Sequence, residues 1–205
     1  MKKLILLGGG MDSTTLMIDE HKQGHELVAL FVDYNQKAYE NELKSVRHFC
    51  YKYKIPLQTI KVELDAIAES FIIKGYDETD GNCLEGRNAI FLHLAVTYAA
   101  LMETKEILLG FHLPPEGYSF PDSHEPFINK FNDYVDSFLN EEFKGIRATI
   151  PYKDIDRYDI FKKAMELDED IIEKSFSCYD DKETECGVCN HCVQKDEMRQ
   201  RYKNG

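Results

Sequence analysis

The chain has 205 residues, of which 43% are hydrophobic, and it carries a formal net charge of −12 at pH 7. This length suits one ordinary domain with a full hydrophobic core, and no apolar stretch approaches the roughly 20 residues that span a bilayer. So acidic a chain disfavours a broad contact with a nucleic-acid backbone. We therefore expect a cytoplasmic protein that acts on a small molecule, without membrane contact or a direct nucleic-acid partner.

Strand and helix patterns alternate along the first 150 residues. Apolar runs predict strands at 3–7, 27–32, 57–64 and 106–109, and helical patterns cover 13–22, 38–53, 88–102 and 126–139. Repeated β–α units predict an α/β fold, a doubly wound parallel sheet of the Rossmann-like type, with ligands at the carboxyl ends of the strands. Gly24 is the expected stop of the first helix. Gly8, Asp33 and Gly110 each follow a strand, so we expect all three to face one crevice.

A glycine-rich segment follows the first predicted strand directly. Glycines let backbone N–H groups approach an anion, and the next helix adds the positive end of its dipole. The spacing is neither Walker A nor GxGxxG; a plain turn with a Ser/Thr cap is the structural alternative. The segment resembles the pyrophosphatase loop, Ser-Gly-Gly-x-Asp-Ser, of enzymes that cleave ATP to AMP and pyrophosphate. The resemblance implies an ATP-binding set consisting of Leu7, Gly8, Gly9, Gly10, Met11, Asp12, Ser13 and Thr14.

Four of the six cysteines lie close together near the C-terminus, at Cys178, Cys186, Cys189 and Cys192. In a cytoplasmic chain this spacing indicates a metal site rather than disulfides. Four thiolates suit a closed, structural Zn²⁺ site; an iron–sulfur cluster and unligated thiols are the alternatives. We interpret His191 as a neighbour of the site rather than a ligand. We expect residues 1–150 to form the nucleotide-binding α/β domain and 151–205 a small helical segment with this zinc site.

Several motifs, taken in order, resemble those of the 7-cyano-7-deazaguanine synthase family, which makes the nitrile precursor of queuosine. They are Gly-Gly-Gly-Met-Asp-Ser-Thr-Thr at 8–15, Asp-Tyr-Asn-Gln-Lys at 33–37, Gly-Arg-Asn at 86–88, Tyr-Ser-Phe-Pro-Asp at 118–122, and the cysteine segment that begins with Ser-Cys-Tyr at 177–179. The resemblance extends over nearly the whole length of the chain.

The resemblance implies a fold of the adenine-nucleotide alpha-hydrolase type and an ATP-dependent carbon–nitrogen ligase that forms AMP and pyrophosphate. ATP would adenylate the carboxylate of 7-carboxy-7-deazaguanine, ammonia would give the amide, and a second activation would dehydrate it to the nitrile. The implied catalytic residues are Asp12, which orients the loop or Mg²⁺, Ser13 at the leaving pyrophosphate, and Arg87, which contacts phosphate or carboxylate oxygens. A homodimer is also implied.

The resemblance further implies a binding set for the deazapurine substrate, consisting of Tyr34, Gln36, Arg87, Asn88, Asp122 and His124. Three of these residues, and Phe120 beside them, also have a plainer interpretation. Arg87 suits a surface ion pair and Asn88 a helix cap. Tyr34 and Phe120 suit either stacking on the ring or the core.

The chain departs from the family pattern at several points, one of which is Pro-Pro-Glu at 114–116 in place of the usual Asn and Asp pattern. Gly8 replaces a serine, Asn35 replaces a glycine and fits if its backbone is left-handed, and Ser123 with His124 replaces Cys-Arg. The last change favours an alternative function, in which a diverged paralogue joins the activated carboxylate to another amine, such as a peptide or protein, in a role such as anti-phage defence. A third hypothesis is an inactive nucleotide- or partner-binding module.

Overall fold

The computed structural model describes residues 2–64, 84, 86–112, 120–180 and 182–204. Its sheet has five parallel strands in the order β3-β2-β1-β4-β5, which are β1 (Lys2–Leu6), β2 (Glu26–Asp33), β3 (Leu57–Lys61), β4 (Glu106–Leu109) and β5 (Arg147–Thr149). The helices are α1 (Met11–Lys22), α2 (Tyr39–Lys52), α3 (Arg87–Leu101), α4 (Glu125–Val135), α5 (Arg157–Leu167), α6 (Asp170–Lys174) and α7 (Asn190–Asn204). The predicted doubly wound parallel sheet is confirmed. None of the helices in these described ranges is long and apolar enough to cross a bilayer.

The sheet is covered on both faces, as its alternating side chains require. In β1, Leu4 and Ile5 are both fully buried but belong to different hydrophobic clusters. The cluster around Ile5 includes side chains of α1, α2, α5 and α6, and the cluster around Leu4 includes those of α3 and α4. Strand order reverses between β1 and β4, so a crevice opens where the carboxyl ends of these two strands diverge.

The segment beyond residue 150 packs directly on the first of these layers. Phe161, Ile171 and Met198 lie in the same cluster as Ile5. The N–H of Phe176 donates to the carbonyl of Gly9 at 2.9 Å, so the segment also contacts the glycine loop.

The predicted element ends differ from the observed ones by a few residues. Helix α1 begins two residues earlier than predicted, at Met11, and β3 ends at Lys61 rather than at 64. Helix α4 ends at Val135 instead of 139, with a turn following it. Two conformational predictions are confirmed: Gly24 follows the end of α1 with φ +86°, and Asn35 is left-handed with φ +62°. Strand β5 was not predicted, because three residues are too few to show a strand pattern.

Candidate active site

A cavity of about 430 Å³ lies at the carboxyl ends of β1 and β4, a volume typical of small-molecule sites. Among the residues predicted to bind ATP, the lining includes Leu7, Gly8, Gly10, Asp12 and Ser13. All six predicted substrate-binding residues also line it: Tyr34, Gln36, Arg87, Asn88, Asp122 and His124. The fold therefore brings both predicted sets into one space. Gly9, Met11 and Thr14 are not part of the lining.

Close backbone packing fixes the glycine loop. Gly9 has φ +82°, and a Cβ there would lie 2.7 Å from the carbonyl oxygen of Glu42. A Cβ on Gly110 would lie 2.6 Å from the Cα of Ser13, so the start of α1 packs against the end of β4 without room for a side chain. Ser45 Oγ donates to the Gly9 carbonyl at 2.8 Å. These contacts leave no room for a side chain at either glycine.

Other residues of the predicted ATP-binding set differ in how much space surrounds their side-chain positions. A Cβ on Gly8 would meet nothing within 4 Å, so its missing serine side chain would have space. Met11 and Thr14 are buried in the protein interior, which explains why they do not line the cavity. Thr15 Oγ1 donates to the Met11 carbonyl at 2.7 Å and holds the first turn of α1.

Asp12 is paired with an arginine that the sequence interpretation missed. Arg157 Nη2 lies 3.3 Å from Asp12 Oδ2, and the two side chains are only 14% and 17% exposed. Asp12 Oδ1 is buried without a hydrogen-bond partner among the described residues. Arg157 begins α5, whose cap is Asp156, and no sequence motif separates it from the other cationic residues of the chain. One oxygen of Asp12 thus pairs with a guanidinium and the other can accept a further ligand.

Arg87 lies among aromatic rings. Its Nη1 donates to Tyr34 Oη at 3.1 Å, and its guanidinium lies 5.4 Å from the Tyr34 ring centroid and 5.7 Å from that of Phe91. These distances are within the range of cation–π contacts. Tyr34 is buried, and Phe120 lines the same cavity. We call Tyr34, Phe91 and Phe120, together with the Arg87 guanidinium, the Arg87 aromatic wall. It carries one fixed positive charge.

Gln36 holds the turn after β2 and contacts an acid. Its Oε1 accepts the Tyr34 N–H at 2.9 Å, and its Nε2 donates to Glu42 Oε2 at 2.8 Å. Burial raises the pKa of Glu42 to about 7, although the bond from Gln36 and the nearby Arg87 favour the ionised form. Glu42 lines the cavity and was not singled out from the sequence. It is a carboxyl group poised between its two protonation states near neutral pH.

The turn at residues 120–124 is joined to the start of α3. Asp122 accepts the backbone N–H and the Nδ2 group of Asn88, both at 3.1 Å. Asn88 is the second residue of α3, and Gly86 occupies the cap position. His124 precedes α4, and its Nε2 is buried without a hydrogen-bond partner among the residues the structure describes. Ser123 Oγ donates to the Phe120 carbonyl at 2.8 Å.

The prediction that Asp33 faces the same crevice as Gly8 and Gly110 is wrong. Asp33 ends β2, but its Oδ1 accepts the N–H of Asn35 at 3.0 Å and the residue does not line the cavity. The Asx turn explains why: it folds the carboxylate back on its own backbone. Of the motif at 118–122, residues 118 and 119 lie outside the described residues, as does Cys83.

The four predicted cysteines converge near the cavity. Their sulfur atoms all lie within 4.8 Å of one another. Measured Sγ–Sγ distances are 3.4 Å for Cys189 and Cys192, 3.9 Å for Cys186 and Cys192, and 4.0 Å for Cys178 and Cys189. Four sulfurs bound to one Zn²⁺ at about 2.3 Å in a tetrahedron lie about 3.8 Å apart. The cluster therefore fits a tetrahedral metal ion.

Backbone N–H groups point at sulfur atoms of the cluster, although burial raises the pKa values of Cys178 and Cys192. Cys178 Sγ accepts N–H groups from Asp180 and Cys186 at 3.4 and 3.3 Å. Burial raises the pKa of Cys186, but N–H groups of Val188 and Cys189 outweigh it and lower that pKa to about 7. His191 has both ring nitrogens engaged elsewhere, Nε2 with Tyr179 Oη at 2.6 Å and Nδ1 with Arg157 Nη2 at 3.1 Å.

Sequence comparisons identify the family. Residues 2–203 match the family described as "Queuosine biosynthesis protein QueC". The 7-cyano-7-deazaguanine synthase of Chlorobaculum parvum is 29% identical over 95% of this chain and 90% of its own length. That of Methanoregula boonei is 30% identical over 95% of this chain and 92% of its own length.

Two solved structures share the fold, with 98% of this chain and 85% of the other chain covered in each case. They are the NH3-dependent NAD synthetase of Campylobacter jejuni, with a TM-score of 0.52 and 16% identity, and the NMN synthetase of Francisella tularensis, with a TM-score of 0.54 and 12% identity. The fold is of the predicted adenine-nucleotide alpha-hydrolase type. The chain belongs to the QueC family of queuosine-biosynthesis proteins and resembles its 7-cyano-7-deazaguanine synthases along nearly its whole length.

Proposed function

We propose that the chain uses ATP to adenylate the carboxylate of 7-carboxy-7-deazaguanine and releases pyrophosphate. Ammonia then displaces AMP to give the amide, and a second ATP activates the amide oxygen, whose loss gives the nitrile. The observation that supports this most is the single cavity, in which the glycine loop and the Arg87 aromatic wall face the same space. Adenylation requires the α-phosphate and the carboxylate to meet in one geometry, which a shared cavity provides.

The loop side of the cavity suits the phosphates. Backbone N–H groups at the start of α1 and the Ser13 hydroxyl would neutralise charge on the leaving pyrophosphate. Mg²⁺ fits beside them, because Asp12 Oδ1 is a buried carboxylate oxygen without a partner among the described residues. The ion would supply further charge neutralisation at the phosphate oxygens. Asp12 would then orient the ion and the loop rather than act as a base.

The other side suits a flat heterocycle with a carboxylate. Arg87 is always cationic and can bind a carboxylate through two parallel N–H groups. Glu42 offers an acceptor to the N–H edge of a 2-amino-4-oxo ring, and Gln36 fixes its orientation at 2.8 Å. Tyr34 and Phe91 supply ring faces next to Arg87.

The four-cysteine site is proposed to hold Zn²⁺ as a structural ion, since four thiolates close the coordination shell and leave no position for a reactant. We also propose a homodimer and a boundary near residue 150 between the nucleotide-binding domain and the segment with the cysteines. Gel filtration coupled to light scattering tests the homodimer by measuring the molar mass in solution.

His124 favours a second candidate function. It lines the cavity where the family pattern has a fixed cation, and its Nε2 is buried without a partner in the described part of the chain. An imidazole in place of a guanidinium there would change which amine can approach the activated carboxylate. In this candidate the chain adenylates the same substrate and joins it to an amine of a peptide or protein.

Mass spectrometry of a reaction with 7-carboxy-7-deazaguanine, ATP, Mg²⁺ and ammonium separates these candidates. Nitrile together with AMP is the expected result. Adenylate without nitrile would support the second candidate, and nitrile formation gained by a Ser123→Cys, His124→Arg variant would assign the difference to this turn. If neither the nitrile nor the adenylate forms, the proposed adenylation of this substrate is overturned, and the inactive binding module remains.

A further inference from the structure

A chain of polar contacts links the cysteine cluster to the glycine loop. Tyr179 Oη lies 2.6 Å from His191 Nε2, His191 Nδ1 lies 3.1 Å from Arg157 Nη2, and Arg157 Nη2 lies 3.3 Å from Asp12 Oδ2. Arg157 Nη1 also donates to the Gln194 side chain. Tyr179 directly follows a cysteine of the cluster, and His191 lies between two others. The backbone of the cluster therefore fixes the position of both residues.

The donors and acceptors give this chain a direction. A guanidinium can only donate hydrogen bonds, so His191 Nδ1 is the acceptor and its Nε2–H donates to Tyr179 Oη. The imidazole therefore holds Arg157 from one side while Asp12 accepts from the other. Since both charged side chains are mostly buried, solvent screens this ion pair little.

The segment that leads to the first cysteine also contacts the loop. Phe176 donates its N–H to the Gly9 carbonyl at 2.9 Å, and Ser177 Oγ accepts the Met11 N–H at 3.4 Å. The loop is thus held by backbone contacts and by the arginine, and both arise from residues next to the cluster.

We propose that the four-cysteine cluster positions Arg157 against Asp12 and thereby sets the affinity of the glycine loop for Mg·ATP. This rests on the proposed use of ATP. Asp12 orients the loop and Mg²⁺ in that proposal, and a guanidinium held at a fixed place keeps Asp12 Oδ2 paired and leaves Oδ1 to the ion, without reorganisation when the nucleotide binds. Arg157 is a positioning residue that acts through Asp12. His191 and Tyr179 act through Arg157.

The test measures Mg·ATP affinity by titration calorimetry, with zinc content and melting temperature measured on the same samples. We expect His191→Ala to weaken binding about tenfold, which corresponds to about 1.4 kcal/mol, and Tyr179→Phe to weaken it about threefold. Zinc content stays at the wild-type value in both variants. Val193→Ala, on the same helix and 41% exposed, is the matched control and binds as the wild type does.

A double-mutant cycle tests the route through the loop. In an Asp12→Asn background the carboxylate charge is gone, so His191→Ala should weaken Mg·ATP binding less than twofold. A His191→Ala effect that stays tenfold in that background would overturn the proposed route. Wild-type affinity in both His191→Ala and Tyr179→Phe would show that the cluster serves folding alone. If His191→Ala does not fold, the single hydroxyl removed in Tyr179→Phe decides. A wild-type protein that binds no Mg·ATP would contradict the proposed function instead.

Discussion

Two halves of the same cavity are built in different ways. The phosphate half, residues 8–13 with Gly110, is fixed by backbone packing so close that a Cβ at Gly110 would lie 2.6 Å from Cα of Ser13. The ring half, which comprises Tyr34, Gln36, Glu42, Arg87, Asn88, Phe91, Asp122 and His124, is built from side chains of four separate segments. Backbone packing restricts which residues can stand at a position, whereas a side-chain wall can change one residue at a time. The departure at Ser123 and His124 falls in or beside the ring half, and the departure at Gly8 falls at a loop position where a Cβ would meet nothing within 4 Å.

The largest effect should come from overfilling the phosphate half. Gly110→Ala forces a Cβ into the backbone of α1, and we expect a loss of about 3 kcal/mol in the free energy of unfolding. Urea denaturation measures it. Gly8→Ala is the matched control, because its Cβ would meet nothing within 4 Å, and it should change stability by less than about 0.5 kcal/mol. Equal losses in both variants would contradict the packing argument.

In the ring half, removal of the fixed cation should affect one substrate and spare the other. We expect Arg87→Met to lower kcat/KM for 7-carboxy-7-deazaguanine about 100-fold, or about 2.7 kcal/mol, because a charge-assisted contact is lost. The affinity for Mg·ATP should change less than about twofold. Arg87→Lys keeps the charge without the planar pair of donors and should fall between these values. A parallel loss of ATP affinity would mean that Arg87 serves the phosphates.

Glu42 should give the wild type a pH dependence that its amide analogue lacks. Its pKa in the folded protein is about 7, above the ordinary value, so the folded state holds the proton more tightly than the unfolded chain. The protonated Glu42 carboxyl therefore contributes to the free energy of unfolding at pH 5, and this contribution is lost as the pH rises through 7. The amide of Glu42→Gln does not titrate, so the free energy of unfolding of this variant should rise by about 2 kcal/mol relative to that of the wild type between pH 5 and pH 8.

Urea denaturation at several pH values measures that difference. Glu141→Gln is the control, since its side chain is 88% exposed and it should follow the wild-type profile. A Glu42→Gln profile parallel to that of the wild type would show that this carboxyl does not titrate in the window.

The smallest effect should come from the link between α3 and the 120–124 turn. Asp122→Ala removes the acceptor of both Asn88 hydrogen bonds, and we expect a loss of about 1 kcal/mol in stability. KM for the deazapurine should rise while KM for ATP stays constant. Asp122→Asn retains one acceptor oxygen and should recover part of the loss. An unchanged KM for both substrates would remove this turn from the ring half.

The features that could be predicted are those that local sequence motifs carry, in both halves of the cavity. The glycine loop, the left-handed Asn35 and the four cysteines are local patterns, and their geometry depends on neighbours in sequence. Arg157 and Glu42 could not be predicted, because each is one charged residue among many on a helix. Only packing shows that Arg157 meets Asp12 and that Glu42 meets Gln36.

The central claim is that this cavity adenylates a deazapurine carboxylate, and pyrophosphate exchange tests it most directly. Labelled pyrophosphate is incubated with the protein, ATP and Mg²⁺, without an amine, in the presence or absence of 7-carboxy-7-deazaguanine. The account predicts label in ATP only when the carboxylate is present, and about 100-fold slower exchange with Arg87→Met at the same subsaturating substrate concentration. Exchange that is independent of the carboxylate, or no exchange with it, would contradict the account.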